Sequence, residues 1–93
     1  MLAIGLGGTA VEHLPGVRSC IAPIAIDEAR RLVGDTTVIS LAAATAREAI
    51  AAVLVALGRM ALEHPEITAV DVNPLIVDDH GAVAVDALVV VGP

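Results

Sequence analysis

Two oxygen-bearing side chains, Asn73 and Asp86, stand where a short hairpin would bring them together. Val70 and Val72 alternate with Asp71 and Asn73, the run Val83-Ala84-Val85-Asp86 alternates in the same way, and Asp78-Asp79-His80-Gly81 between them has the composition of a turn. A four-residue turn there sets Val77 against Ala82 and, counting back, Asn73 directly against Asp86. Opposed residues carry Cβ atoms about 4.5–5.5 Å apart, close enough for an amide oxygen and a carboxylate to share one cation. Magnesium takes oxygen ligands, usually one or two from protein with the rest from water and substrate phosphate, so the pair suits a nucleotide-bound metal. Asp71, two residues before Asn73, falls on the same face and would hold water or orient a ligand. The same pattern also reads as ordinary solvation of an exposed hairpin face, and Pro74 is a place for a bulge that would shift the register. Spacing alone leaves both readings open.

The remaining chemistry-bearing residues are weaker. Gly5-Leu6-Gly7-Gly8 can offer backbone N–H groups to an anion, because glycine allows close approach and positive φ, but it reads equally as a glycine-rich strand junction. Glu12 reads as a site residue or as the partner of a nearby cation. The three histidines, His13 at a strand end, His64 before Pro65 and His80 in the turn, suit solvent or capping roles. Cys20 lies in a predicted strand, where a small buried thiol is the common case.

Composition narrows the function classes. The 93 residues hold 57% hydrophobic and 17% charged residues with no Phe, Tyr or Trp, so the core must be built from Ala, Val, Leu and Ile. A domain of this size buries only about 60–65% of its unfolded surface, which without aromatics or staples leaves it in need of outside support. Eleven acids against five arginines and no lysine give a net charge of −6. That balance, with no aromatic platform, speaks against nucleic acid as a partner. The missing lysine removes a Walker-type phosphate lysine and Schiff-base chemistry. A lone cysteine forbids an internal disulfide and a cysteine-based zinc site, which fits a reducing, cytoplasmic setting. The apolar stretch at 49–57 is bracketed by Arg47, Glu48 and Arg59 and falls short of the roughly 20 residues a membrane span needs; a soluble chain is expected.

Three zones must position the candidate residues. In the first, β-like runs at 9–14 and 17–22 are parted by Pro15-Gly16 and read as a hairpin ended by Pro23. The second is helical. A short helix over 27–33 orders Asp27 ahead of Arg30 and Arg31, with Gly34 placed to stop it. A longer helix opens on the capping box Thr45-Ala46-Arg47-Glu48, presents Ile50, Val53, Leu54, Leu57 and Ala61 on one face, and closes at Pro65. Residues 35–44 between them carry mixed signals for a strand or extended loop. The third zone is the hairpin, whose final apolar run over 88–91 suits a strand covered on both sides. The fold expected is α+β, an antiparallel sheet with two packed helices.

Asp71-Val72-Asn73-Pro74-Leu75-Ile76-Val77 followed by Gly81-Ala82-Val83-Ala84-Val85-Asp86-Ala87 resembles the metal-binding hairpin that closes the ATP-grasp domain of NDP-forming acyl-CoA synthetases. These are ADP-forming acetate–CoA ligases, related to the β subunit of succinyl-CoA synthetase. The resemblance extends through Gly5-Leu6-Gly7-Gly8, Val11-Glu12, Ala22-Pro23-Ile24 and His64-Pro65-Glu66-Ile67, and so covers nearly the whole chain. It implies that residues 1–93 are the distal part of an ATP-grasp C-terminal subdomain, with the N-terminal ATP-binding half absent. It further implies that Asn73 and Asp86 hold the nucleotide magnesium, that Asp71 faces the path of a phosphohistidine, and that Gly7, Gly8 and Glu12 belong to the nucleotide cleft. The implied chemistry runs from ATP to a histidine, on to a carboxylate as acyl phosphate, and then to CoA as thioester. In such transfer the protein positions groups and neutralises charge. Mg2+ and ATP are the implied cofactors. The implied partners are the missing ATP-grasp half and a CoA-ligase domain or subunit, with a carboxylic acid and CoA as substrates.

The chain departs from that pattern in places. Gly16 and Cys20 stand where relatives tend to carry an Asp and an Arg, Ala25 replaces a Ser or Thr helix cap, and residues 35–44 hold no arginine where a Tyr-Arg-Gly type loop is frequent. Three functions are therefore carried forward. One is a piece of an acyl-CoA ligase that completes its site with another polypeptide. The others are a non-catalytic remnant or interaction module that docks by its sheet edge, and the ATP-grasp segment of an acetyltransferase-fused relative. The first is the reading adopted.

Overall fold

The computed structural model describes residues 2–4, 18–20, 23–35, 43–78 and 80–92. Along the chain these form β1 (Leu2–Ile4), β2 (Arg18–Cys20), α1 (Ile26–Asp35), α2 (Ala44–Glu63), β3 (Ile67–Val72), β4 (Leu75–Asp78), β5 (Gly81–Ala84) and β6 (Ala87–Val91). The strands pair in three antiparallel ladders, β1 with β2, β3 with β6 and β4 with β5. The α+β class with antiparallel sheet and two packed helices is observed. The strand expected over 17–22 appears as β2. Its described partner is β1, a run not singled out in the sequence, while the expected strand over 9–14 lies outside the described residues, as do residues 36–42 of the expected loop.

The helices differ from expectation in ways that have physical causes. Helix α1 runs through Gly34 to Asp35, and its N-terminal acids Asp27 and Glu28 oppose the positive end of its dipole. Helix α2 starts at Ala44, one residue before Thr45, with Ala43 as its N-cap and no side-chain capping bond, so the capping box does not form. Glu48, its expected acceptor, is engaged elsewhere: Arg30 donates to it through Nε at 3.0 and 3.1 Å and through Nη2 at 2.7 Å. The expected Asp27–Arg30 pair forms at 3.1 Å. Helix α2 ends at Glu63, ahead of Pro65 as expected, and the His64 N–H donates to the Met60 carbonyl at 3.0 Å.

The buried face of α2 consists of Ala46, Ile50, Ala51, Leu54 and Gly58. Ile50 and Leu54 were expected there, Val53 and Leu57 are only half-buried, and Ala61 is exposed. The face turns toward its small residues because they let other elements come close. Ala29 and Val33 of α1 and Ala51 of α2 are almost wholly buried, and with Leu2, Ile24, Ile50 and Leu54 they make the core. Leu75 and Val77 of β4 pack against that core from the sheet side.

Candidate functional site

Between β4 and β5 the pairs are Leu75↔Ala84, Ile76↔Val83, Val77↔Ala82 and Asp78↔Gly81, which is the register expected from the turn. The same register continues through β3 and β6 as Val72↔Ala87, Asp71↔Leu88, Val70↔Val89 and Ala69↔Val90, and shifts only between Ile67 and Ala69. Gly81 has φ +140°, a conformation open to glycine, and it closes the turn that sets this register.

Asn73 and Asp86 lie in the step between the two ladders. The Asn73 N–H donates to the Asp86 carbonyl at 3.1 Å, and the Val85 N–H donates to the Pro74 carbonyl at 3.0 Å. In a regular antiparallel ladder every second opposed pair is hydrogen-bonded, yet here two adjacent pairs are. The pairing partners are unchanged across Pro74, so the register shift expected of a bulge there does not occur. What changes is the facing. Val70 and Val72 are half-buried on one side of this step, Leu75 and Val77 on the other, an odd spacing that a continuous strand would not give. The Asn73–Pro74 peptide is cis.

Within the ladder Asp71 lies opposite Leu88, and Asn73, the residue after β3, is held opposite Asp86 by main chain. Asp71, Asn73 and Asp86 are all exposed. Asp86 Oδ1 accepts the Ala87 N–H at 2.9 Å, and no described residue bonds to Oδ2. An amide oxygen and a carboxylate oxygen on directly opposed, exposed residues are hard donors of the kind magnesium accepts. The donor set therefore fits that metal, with solvent and a phosphate needed to complete it. Among the described residues no three His, Cys, Asp or Glu side chains gather as an all-protein metal cage.

Gly7, Gly8 and Glu12 lie outside the described residues, as does His13. His64 Nδ1 is 3.3 Å from Glu66 Oε1 and His80 Nδ1 is 3.8 Å from Asp78 Oδ1, both at exposed surfaces beside an acid. A feature the sequence reading missed is a cleft of about 190 Å³ between the helices, lined by Arg30, Val33, Ala44, Arg47 and Glu48. Arg30 is neutralised there by Glu48, whose hydrogen bond raises the guanidinium pKa, while Arg47 Nε is buried with no hydrogen-bond partner among the described residues. The i,i+3 spacing of Ala44 and Arg47 was readable; the approach of α1 was not. Also missed was Leu88, which the same register that pairs Asn73 with Asp86 places opposite Asp71.

No helix among the described residues is long and apolar enough to cross a membrane. Comparison with known proteins matches an ATP-grasp domain over residues 1–91. The chain is 36% identical over 89 residues to the ADP-forming acetate–CoA ligase I subunit beta of Pyrococcus furiosus, covering 89% of this chain and 38% of that one. It is 34% identical over 98 residues to the ADP-forming acetate–CoA ligase I of Archaeoglobus fulgidus, covering 99% of this chain and 14% of that one. Among solved structures, PH1788 from Pyrococcus horikoshii superposes with a TM-score of 0.87 at 26% identity, over 98% of this chain and 42% of its own. The dinucleotide-forming acetyl-coenzyme A synthetase 1 of Ca. Korarchaeum cryptofilum, solved with coenzyme A and Mg-AMPPCP, superposes with a TM-score of 0.86 at 29% identity, over 97% of this chain and 45% of its own. The chain thus spans less than half the length of each of these relatives, and by the match along almost its entire length it belongs to the ATP-grasp family.

Proposed function

We propose that this chain is the distal part of an ATP-grasp C-terminal subdomain working within an ADP-forming acyl-CoA ligase of the acetate–CoA ligase type. Its part is to present Asn73 and Asp86 as oxygen ligands for the magnesium of bound ATP. The observation that carries the reading is the main-chain pairing of Asn73 with Asp86, which holds an amide and a carboxylate across from each other on an exposed face. Magnesium bound there would neutralise phosphate charge during phosphoryl transfer. Asp86 uses one oxygen to hold the Ala87 N–H, which orients the carboxylate and leaves the other oxygen for a ligand. Asp71, two residues before Asn73, adds negative charge and would orient water or an incoming cationic group. Gly7 and Gly8 are assigned to the phosphate side of the nucleotide cleft and Glu12 to its wall, on the resemblance. The remaining ATP-grasp half and a CoA-ligase domain or subunit, in the same polypeptide or another, supply the adenine clamp and the acceptor chemistry. A carboxylic acid and CoA are the substrates of the assembly, and the cytoplasm is its place.

The complement missing from this chain dictates the test. The 93-residue chain alone should not hydrolyse ATP. Mixed with the portion of the Pyrococcus furiosus subunit that lies outside the match, it should bind Mg-ATP in titration calorimetry, and Asn73→Ala with Asp86→Asn should abolish that binding. Steady ATP hydrolysis by the chain alone, or unchanged Mg-ATP binding in the double variant, would refute the assignment. A second reading is favoured by the bond from Ala87 to Asp86, a structural use of the carboxylate: the chain is a non-catalytic module, and the double variant then changes nothing.

A further inference from the structure

The cleft between α1 and α2 holds a positive charge that the packing of the helices does not use. Arg30, Val33, Ala44, Arg47 and Glu48 line its volume of about 190 Å³. Arg30 is already engaged, since it donates to Glu48 through Nε and Nη2 and to Asp27 through Nη1. Arg47 is the opposite case. It is half-buried, its Nε is buried with no hydrogen-bond partner, and it forms no ion pair among the described residues. A buried donor on a charged group is costly to leave without an acceptor, and each such group in a folded protein calls for an explanation. An acceptor that enters from solvent is the explanation for which this cleft has room.

The lining selects the kind of acceptor. With Arg30 matched by Glu48, the free charge among the lining residues is that of Arg47 alone. A guanidinium presents its N–H groups in a fixed fork, which a carboxylate can accept in pairs. The Glu48 carboxylate in the wall opposes a second negative charge on the ligand, and so favours a monoanion over phosphate. Val33 and Ala44 give the cleft an apolar wall suited to a short alkyl chain. The volume is about six times the roughly 30 Å³ share of a water molecule in the liquid, enough for a carboxylate with two or three carbons. Helix α2 begins at this cleft with no acid in its first turn, so its dipole adds positive potential there, as an accessory to the guanidinium. We infer that the cleft between α1 and α2 is a second ligand site, in which Arg47 binds a short-chain monocarboxylate. A ligand held there by the folded chain alone stabilises it by mass action, so carboxylate concentration would set how firmly α1 and α2 stay packed. The inference does not rest on the function proposed above, because neither Asn73 nor Asp86 lines the cleft.

Propionate is the probe, titrated into the 93-residue chain at constant ionic strength with chloride as the balancing anion. The amide resonances of Ala44 to Glu48 should shift and saturate in the millimolar range, and Tm should rise with propionate concentration. Arg47→Gln should weaken propionate at least about tenfold, because it removes the charged fork. Ala44→Leu keeps that charge and fills the cleft from an exposed position, and it should weaken propionate as strongly. If Arg47→Gln loses helical circular dichroism, Ala44→Leu decides the matter. Arg59→Gln on the exposed side of α2 should leave binding unchanged, and so should Asn73→Ala with Asp86→Asn, so failure of the metal assignment and failure of this site give different results. Inorganic phosphate at the same ionic strength should bind at least about tenfold more weakly than propionate. Shifts that do not saturate, binding that survives in folded Arg47→Gln or in Ala44→Leu, or phosphate affinity equal to that of propionate would each overturn the inference, the last by removing the preference for a monocarboxylate.

Discussion

The backbone N–H of Asn73 donates to the carbonyl oxygen of Asp86 at 3.1 Å, so these two residues are held across from each other by main chain and not by their side chains. Their side chains can therefore be altered with little effect on the hairpin. Asp86→Asn keeps an oxygen to accept the Ala87 N–H and removes only the charge. At an exposed position the change in stability should stay within about 0.5 kcal/mol. In the assembled protein, affinity for Mg-ATP should fall at least about tenfold by calorimetry at unchanged Tm. Equal affinity in the variant would remove Asp86 from the metal site.

Gly81 sits at the other end of the same ladder with φ +140°, and it carries the turn that determines which residue faces which. An alanine there is strained whatever space surrounds it, at a cost of about 1–3 kcal/mol. Gly81→Ala should lower the urea midpoint and speed amide exchange at Ile76 and Val83, with α2 amides much less affected. Unchanged exchange in the hairpin would show that the register is held by the strands and not by the turn.

The Arg30–Glu48 pair makes stability depend on acid. Its hydrogen bonds, with attraction from the same guanidinium, hold the Glu48 carboxyl below its ordinary value of 4.5. Because the folded-state value is the lower one, the contribution is complete above 4.5 and disappears as the pH falls through the lowered folded value. Glu48→Gln should flatten the acid limb of a Tm-against-pH curve in that window and change little near neutrality. Both side chains are half-exposed, so the effect should shrink with added salt. An acid limb identical in wild type and variant would assign the loss to other carboxylates.

What could be read in the sequence was what local rules control. The hairpin register followed from turn composition and strict alternation, so Val77 against Ala82 and Asn73 against Asp86 were legible without a fold. The ends of the helices were less so. Thr45 had a capping pattern, yet Glu48 was drawn to Arg30, eighteen residues away, by a contact that only tertiary packing creates. The buried face of α2 was misjudged for a related reason: ranking by hydrophobicity picks Val53 and Leu57, while close approach selects Ala51 and Gly58. The reversal of facing across Asn73 and Pro74 was hidden too, since alternation was counted on each side of Pro74 and not across it. The expected covering of the 88–91 run was a statement about neighbours, and the run is exposed on both faces.

Gly58 lies where α2 packs against β1 and the segment entering α1. A Cβ placed on it would lie 3.4 Å from Leu2 Cδ1 and from Pro23 Cα, and 3.7 Å from Ile24 N. These are ordinary contact distances, so a methyl group fits while anything longer must push against the main chain of Pro23 and Ile24. Glycine inside a helix costs about 1 kcal/mol relative to alanine. Gly58→Ala should therefore raise stability by about 0.5–1 kcal/mol, and Gly58→Leu should lower it by at least about 1–3 kcal/mol through overpacking. Leu54→Ala, one turn earlier on the same buried face, supplies the scale: truncating a leucine that is only 4% exposed should cost about 2–5 kcal/mol. Urea unfolding of the three variants tests the ordering. A destabilised Gly58→Ala would mean that α2 and the Pro23–Ile24 segment pack with less room than these distances allow, and that the glycine is required for the approach itself.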